Sequence, residues 1–325
     1  MLRRRKADAE PFYWRRVHPW TNQLSEDELE ETIGALLQNG RPKAAVDALS
    51  GAINVHKKKP SWKIVADAVD LASSSPSSAA EGSFNTMSVW ELCEVMKYLQ
   101  ADPTADQERL VILEWRLLPL ARHNRFEPKI LHSELSRSAN FFAEVLSVVY
   151  RAKDQPKDEN PDPTKQNLAE AVNNLLESWA GIPGRKFDGT VDADILRDWV
   201  TEARKICAAN GRIEVCDSCI GEQLSYAPLD ADGSWPCQAV REVLETVTTD
   251  EIVRGFCRGR HNQRGVTTRG MNDGGEQERD LVKKHREYAE KCKVSWPRTG
   301  LALRRIADYY DAQAKWQDEH AEARD

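Results

Sequence analysis

Cys216 and Cys219 stand in C-x-x-C spacing, and Cys237, Cys257 and His261 follow downstream. Two thiolates so spaced can reach one tetrahedral ion. Zinc held by Cys216, Cys219, Cys237 and Cys257, with His261 as a further candidate ligand, is therefore the metal chemistry to weigh. The later cysteines form no tight knuckle, however. Positions i and i+3 also suit a buried helix face, where free cysteine is common. The buried-face reading is preferred, with zinc as the alternative. A redox role for the pair is weaker, because no alternating strand–helix pattern surrounds it.

A second chemical stretch lies at residues 252–272. It holds Arg254, Arg258, Arg260, Arg264, Arg269 and His261 without one carboxylate, in a chain of net charge -6. Its glycines read as a loop whose amides and guanidinium groups could take a phosphate. The Gly-Lys-Ser/Thr ending of a nucleotide-binding P-loop is missing, and no strand precedes it. The preferred expectation is a clasp: Arg258, Arg260, Arg264 and Arg269 are held by surrounding helices and by acids such as Glu276, Glu278 and Asp280. Gly265, Gly274 and Gly275 then make turns. His261 with Glu276 or Glu278 could form an acid–base pair beside Cys257, but nothing in the sequence fixes their geometry, so no catalytic residue is assigned. Two fragments with calcium-loop character, residues 230–234 and 188–192, lack the ligand spacing of an EF-hand and read as turns.

These residues must be positioned by helices. Hydrophobic residues make up 40% and charged residues 30% of the 325, the balance of a protein built from amphipathic helices with charged outer faces. No run approaches the roughly 20 apolar residues of a membrane span. The basic residues 3–6 are followed by acids instead of an apolar segment, so a secretory leader is not expected. An odd number of cysteines argues against a disulfide framework, and cytoplasmic residence is the expectation.

Helical spacing recurs along the chain. Ser25 caps a helix carrying Leu29, Ile33 and Leu36, and Asn39-Gly40 ends it. Pro42 opens a second, with Ala45, Val46 and Leu49. Residues 73–83 read as an exposed loop. Ser88-Val89-Trp90-Glu91 reads as a capping box before Leu92, Val95, Met96 and Leu99. Leu110, Leu113 and Leu117 follow, then Phe142, Val145 and Leu146. Residues 153–164 hold three prolines among polar neighbours and read as a linker. Beyond it, Val172, Leu175, Ile195, Trp199, Val200 and Ala203 mark further helices. Residues 212–226 are ambiguous between strand and helix. Two last helices are expected at about 275–291 and 297–322. The fold class is all-α, with antiparallel helix pairs in an irregular α-solenoid or helical bundle. The organisation is a basic, aromatic arm (1–24), a helical subdomain (25–152), the linker (153–164) and a second helical subdomain (165–325).

Several short strings occur together: Leu113-Glu114-Trp115, Ile182-Pro183-Gly184, Trp235-Pro236 with Val240-Arg241, Arg264-Gly265-Val266, and Gly274-Gly275 with Glu278-Arg279. The set resembles helical regions at the C-terminal ends of large bacterial proteins of unknown function. That resemblance implies a regulatory or partner-binding region and supplies no activity.

The expected function is a non-enzymatic interaction module that holds a protein partner in a groove between helices. The alternative is a nucleic-acid or phosphate binder using the basic head and the arginine stretch. The arginines and aromatics of residues 12–20 would suit base stacking, although packing on the first helices is the preferred reading.

Overall fold

The structure, a computed structural model, describes residues 13–74, 77–78, 81–83, 85–121, 124, 126–156, 160, 162–268, 270 and 273–322. The basic head at residues 3–6 and Arg269 lie outside the described residues. The fold is all-α, with 14 α-helices among the described residues, packed in pairs. Among the described residues no helix is long and apolar enough to cross a membrane. The chain divides into two compact units, residues 1–132 with 161–176, and residues 133–160 with 177–325.

In the first unit, α1 (Glu26–Gln38) starts at a capping box. The Ser25 hydroxyl accepts from the Glu28 amide at 3.2 Å, and Glu28 accepts from the Ser25 amide at 2.8 Å. Gly40 (φ 68°) then turns the chain into α2 (Pro42–Ser50), which has proline in its first turn and no side-chain cap of its own. α3 (Trp62–Ser74), α4 (Thr86–Ala101) and α5 (Gln107–Ala121) complete the layer. Ile33, Leu49, Val65, Met96 and Leu113 are among the buried side chains of one continuous core. The arm is tied to this core. Trp14 and Val17 pack against it, and the Arg41 guanidinium donates to their carbonyls at 3.1 and 2.6 Å.

Helix α4 begins at Thr86 rather than at Ser88. Asn85 is its cap, accepting from the Ser88 amide at 2.9 Å, because asparagine three residues earlier serves the first turn as well as serine would. Within 73–83 the backbone forms a minimal antiparallel pair, β1 (Ser77–Ser78) with β2 (Gly82–Ser83). Glu81, beside it, accepts from the amides of Lys43 and Ala44 at 2.9 and 3.0 Å and so caps α2.

The next helices are α6 (Lys129–Arg137), α7 (Ala139–Val149) and α8 (Pro163–Ser178); the boundaries between units fall within α6 and α8. The second unit continues with α9 (Ala193–Ala209), α10 (Ile213–Leu224), α11 (Gln238–Thr246), α12 (Asp250–Asn262), α13 (Glu276–Cys292) and α14 (Pro297–Glu322). Residues 213–224 are thus helical. Phe142, Trp179 and Trp199 form an aromatic triangle with centroids 4.9–6.2 Å apart, and the Trp179 indole donates to Ser136 at 2.9 Å. Residues 188–192 form a turn ending at Asp192, the cap of α9. In the turn at 230–234, Asp230 takes the Arg241 guanidinium and the Gln238 amide, the latter at 3.0 Å. Helices α13 and α14 lie antiparallel, since Gly275 at the start of one meets Ala314 near the end of the other, and Gly300 meets Ala289.

Candidate functional site

The arginine–glycine stretch is not a loop up to Asn262: residues 250–262 are helix α12. Its glycines serve close packing instead of turning. A Cβ on Gly255 would fall on the Ser218 carbonyl, and one on Gly221 of α10 would fall on the Ile252 carbonyl. A Cβ on Gly259 would stand 2.8 Å from the Glu222 carbonyl. Gly255 and Gly259, four residues apart, therefore share one face on which α10 and α12 cross with backbones nearly touching. Glycine lowers helix propensity by about 1 kcal/mol, so it persists inside α12 because nothing larger fits.

With the glycines facing α10, the arginines are distributed around the helix and beyond its end. Arg254 reaches Glu251 at 3.7 Å on the surface. Arg258 pairs with Glu222 and donates to Ser218 at 2.9 Å. Arg260 lies over the Trp235 ring at 4.7 Å and donates to Gln263 at 3.1 Å and to His285 Nε2 at 3.4 Å. The His285 Nδ1 donates to the Leu281 carbonyl at 2.8 Å, so the two contacts fix the Nδ1-protonated tautomer. Arg264 pairs with Glu278 at 2.5 Å and lies over Tyr310 at 5.7 Å. Of the acids expected to anchor the clasp, Glu278 holds an arginine of this stretch. Gly265 makes a turn at φ 65°, and Gly275 precedes α13 with its amide donated to Asp318 at 2.8 Å.

The end of α12, the following turn and α14 enclose an open groove of about 580 Å³. Its floor is the Arg264–Glu278 pair, with Glu278 1% exposed. Its walls include His261, Tyr309, Gln313 and Trp316. The His261 ring stacks on Tyr309 at 3.8 Å and meets Tyr310 edge-on at 5.3 Å. Its Nε2 is buried and makes no hydrogen bond. Burial pushes His261 down to about 4, and burial likewise holds His285 at about 4. Both imidazoles are neutral near pH 7. His261 and Glu278 line the same groove, yet Glu278 is engaged by Arg264 and His261 by a tyrosine.

The cysteines do not gather. Cys216 faces Cys207; the contact between the two sulfurs and then burial push the Cys216 thiol up. Burial pushes Cys219, which bonds Tyr150, up to about 12. Cys237 stands at the start of α11 without a side-chain capping bond and is raised by burial. Cys257 donates to the Ala302 carbonyl at 3.6 Å and is pushed by burial to about 11. Among the described residues no three His, Cys, Asp or Glu side chains are grouped to hold a metal. The zinc set of Cys216, Cys219, Cys237 and Cys257 is therefore not assembled among the described residues: Cys216 faces Cys207, Cys219 faces Tyr150, and Cys257 faces Ala302.

Sequence reasoning missed Tyr309, Gln313 and Trp316. The signal was present: Ile306, Tyr310 and Ala314 already fill the buried stripe of α14, leaving Tyr309 and Trp316 off it. Comparison with protein-family models, curated proteins and solved structures yields no match.

Proposed function

We propose that the chain is a non-enzymatic interaction module that binds another protein along the groove edged by α14. The observation that carries this reading is the exposure of large aromatic side chains on a rigid 26-residue helix, Trp316 at 52% and Tyr309 at 43%. Tryptophan, tyrosine and arginine dominate the energetics of protein interfaces, because they bury much area at little conformational cost. The groove is of a size that takes one or two partner side chains. Its charges are balanced by the Arg264–Glu278 pair, which favours apolar and neutral polar contacts over a polyanion. Arg254, Arg258 and Arg264 are each matched with a carboxylate, so the stretch presents less net positive charge than its sequence suggests.

The test is competitive photo-crosslinking. A photoreactive residue placed at position 313 should give protein adducts in extracts of the native cells. Excess unlabelled parent should suppress the adducts to other proteins, and excess of a Tyr309→Ala/Trp316→Ala chain should not. Equal suppression by both competitors, or adducts to nucleic acid alone, would overturn the reading.

A further inference from the structure

We infer that the outer ridge of α14 is built to pair antiparallel with the α14 ridge of a second copy of this chain; this rests on the reading of that helix as an interaction face and names its partner. Leu301, Arg305, Asp308, Ala312, Trp316 and Glu319 are all exposed. At 100° per residue they fall along one strip of the helix, opposite the buried Leu303, Ile306, Tyr310 and Ala314.

The strip is self-complementary about Ala312. A two-fold axis beside that residue places each position opposite the one equally far on the other side, as an isologous contact requires. Arg305 then faces Glu319, opposite charges. Asp308 faces Trp316, a carboxylate acceptor against a tryptophan that is half exposed in the single chain. Ala312 faces itself, and its small side chain allows two helix backbones to approach. Every contact except the one at Ala312 occurs twice by symmetry. From Arg305 to Glu319 the ridge runs about 21 Å at the helical rise of about 1.5 Å per residue, long enough for four turns of contact.

Arg305, Asp308 and Glu319 are not used by the fold. Among the described residues their side chains make no hydrogen bond or ion pair, whereas Arg304 reaches Glu290 and Lys315 reaches Asp311. Three unspent charges placed symmetrically with a tryptophan and a central alanine are the arrangement a second copy would complete. A partner with a uniformly basic or uniformly acidic face would meet one favourable and one repulsive half.

Charge reversal tests this directly, with mass measured by light scattering and sedimentation over a wide concentration range. The full chain should be dimeric at micromolar concentration. Arg305→Glu and Glu319→Arg should each raise the dimer dissociation constant tenfold or more, with melting of the monomer unchanged because neither side chain has an internal partner. The double reversal, Arg305→Glu with Glu319→Arg, should restore dimerisation. Positions 305 and 319 lie four turns apart in one chain, so rescue can arise only between copies. A parent chain that stays monomeric at every concentration would overturn the inference, as would single reversals that leave the dimer intact or a double reversal that fails to restore it. Persistence of adducts to other proteins at position 313 in a monomeric chain would leave the interaction reading standing without the self-pairing.

Discussion

The Leu131 amide donates to the Glu114 carboxylate at 2.9 Å, so a side chain of α5 caps the first turn of α6. The same carboxylate accepts from the Ile130 amide at 3.2 Å and from Gln100 at 2.6 Å, in a setting of 0% exposure. Borrowed caps recur. Glu81 serves α2, and Glu245 takes the Arg298 and Thr299 amides of α14 at 3.2 and 2.8 Å. Asp318 takes the Gly275 amide ahead of α13. The first amides of a helix have no partner within it, and these helices find theirs on other elements. Each such contact fixes both a helix start and the packing of its neighbour.

Burial of Glu114 outweighs these hydrogen bonds and raises its carboxyl to about 7. In the unfolded chain it titrates near 4.5, so between those values the folded state holds a proton the unfolded state has released. Its stabilising contribution is complete below about 4.5 and is lost as pH rises through 7, by an amount of order 3 kcal/mol. The buried His261 and His285 act against it over part of this range, so the loss is read as a difference. Between urea melts at pH 5 and pH 8 the parent should gain less stability, or lose more, than Glu114→Gln. An unchanged pH slope in the variant would count against the assignment.

His261 and His285 act in the opposite sense. Both are lowered to about 4 by burial, below the ordinary value of 6.5. Between 6.5 and 4 the unfolded chain takes up protons that the folded chain refuses. Stability present above 6.5 is thus lost as pH falls through 4. His285→Gln should reduce the acid-side loss measured by thermal melts from pH 7 to pH 4. A variant with the parent's acid limb would show that the ring protonates in the folded state.

Arg264→Ala leaves the 1%-exposed Glu278 without its guanidinium. Removing one partner of a buried pair costs about 3–5 kcal/mol. The melting midpoint should fall by several degrees in the absence of any ligand. A midpoint within a degree of the parent would mean that the pair is replaceable by water.

Gly255→Ala drives a methyl group onto the Ser218 carbonyl of α10, whereas a Cβ on Gly265 meets open space and only the strain of φ 65°. Overpacking costs about 1–3 kcal/mol, and left-handed backbone about 1–2 kcal/mol. Gly255→Ala should accordingly be the more destabilising in urea titrations. Equal losses would return Gly255 to the role of a flexible link.

Most of the helices were legible because their apolar positions recur at helical spacing. Leu29, Ile33 and Leu36 are buried as that spacing requires, and Ser25 and Asp192 cap where their types suggest. The stretch at 254–262 misled because glycine has two uses. A run of arginine and glycine reads as a turn until the partner helix is known, and only Gly221 and Ser218 across the crossing reveal the second use. Borrowed caps were invisible for the same reason: Glu81, Glu114 and Glu245 lie far in sequence from the amides they satisfy. The groove was half legible. Arg264 and Glu278 were expected to meet, while Tyr309 and Trp316 lay on a helix whose exposed side carries no motif.

The central claim is that the exposed side of α14 is where this protein meets another protein chain. A photo-crosslinking scan tests it most directly, with the reactive residue placed in turn at Leu301, Asp308, Ala312 and Trp316, and at Glu202 and Lys205 on the exposed side of α9 as controls. Protein adducts should concentrate at the four α14 positions and be sparse at the two α9 positions. Adducts of equal yield from both helices, or none from α14, would contradict it.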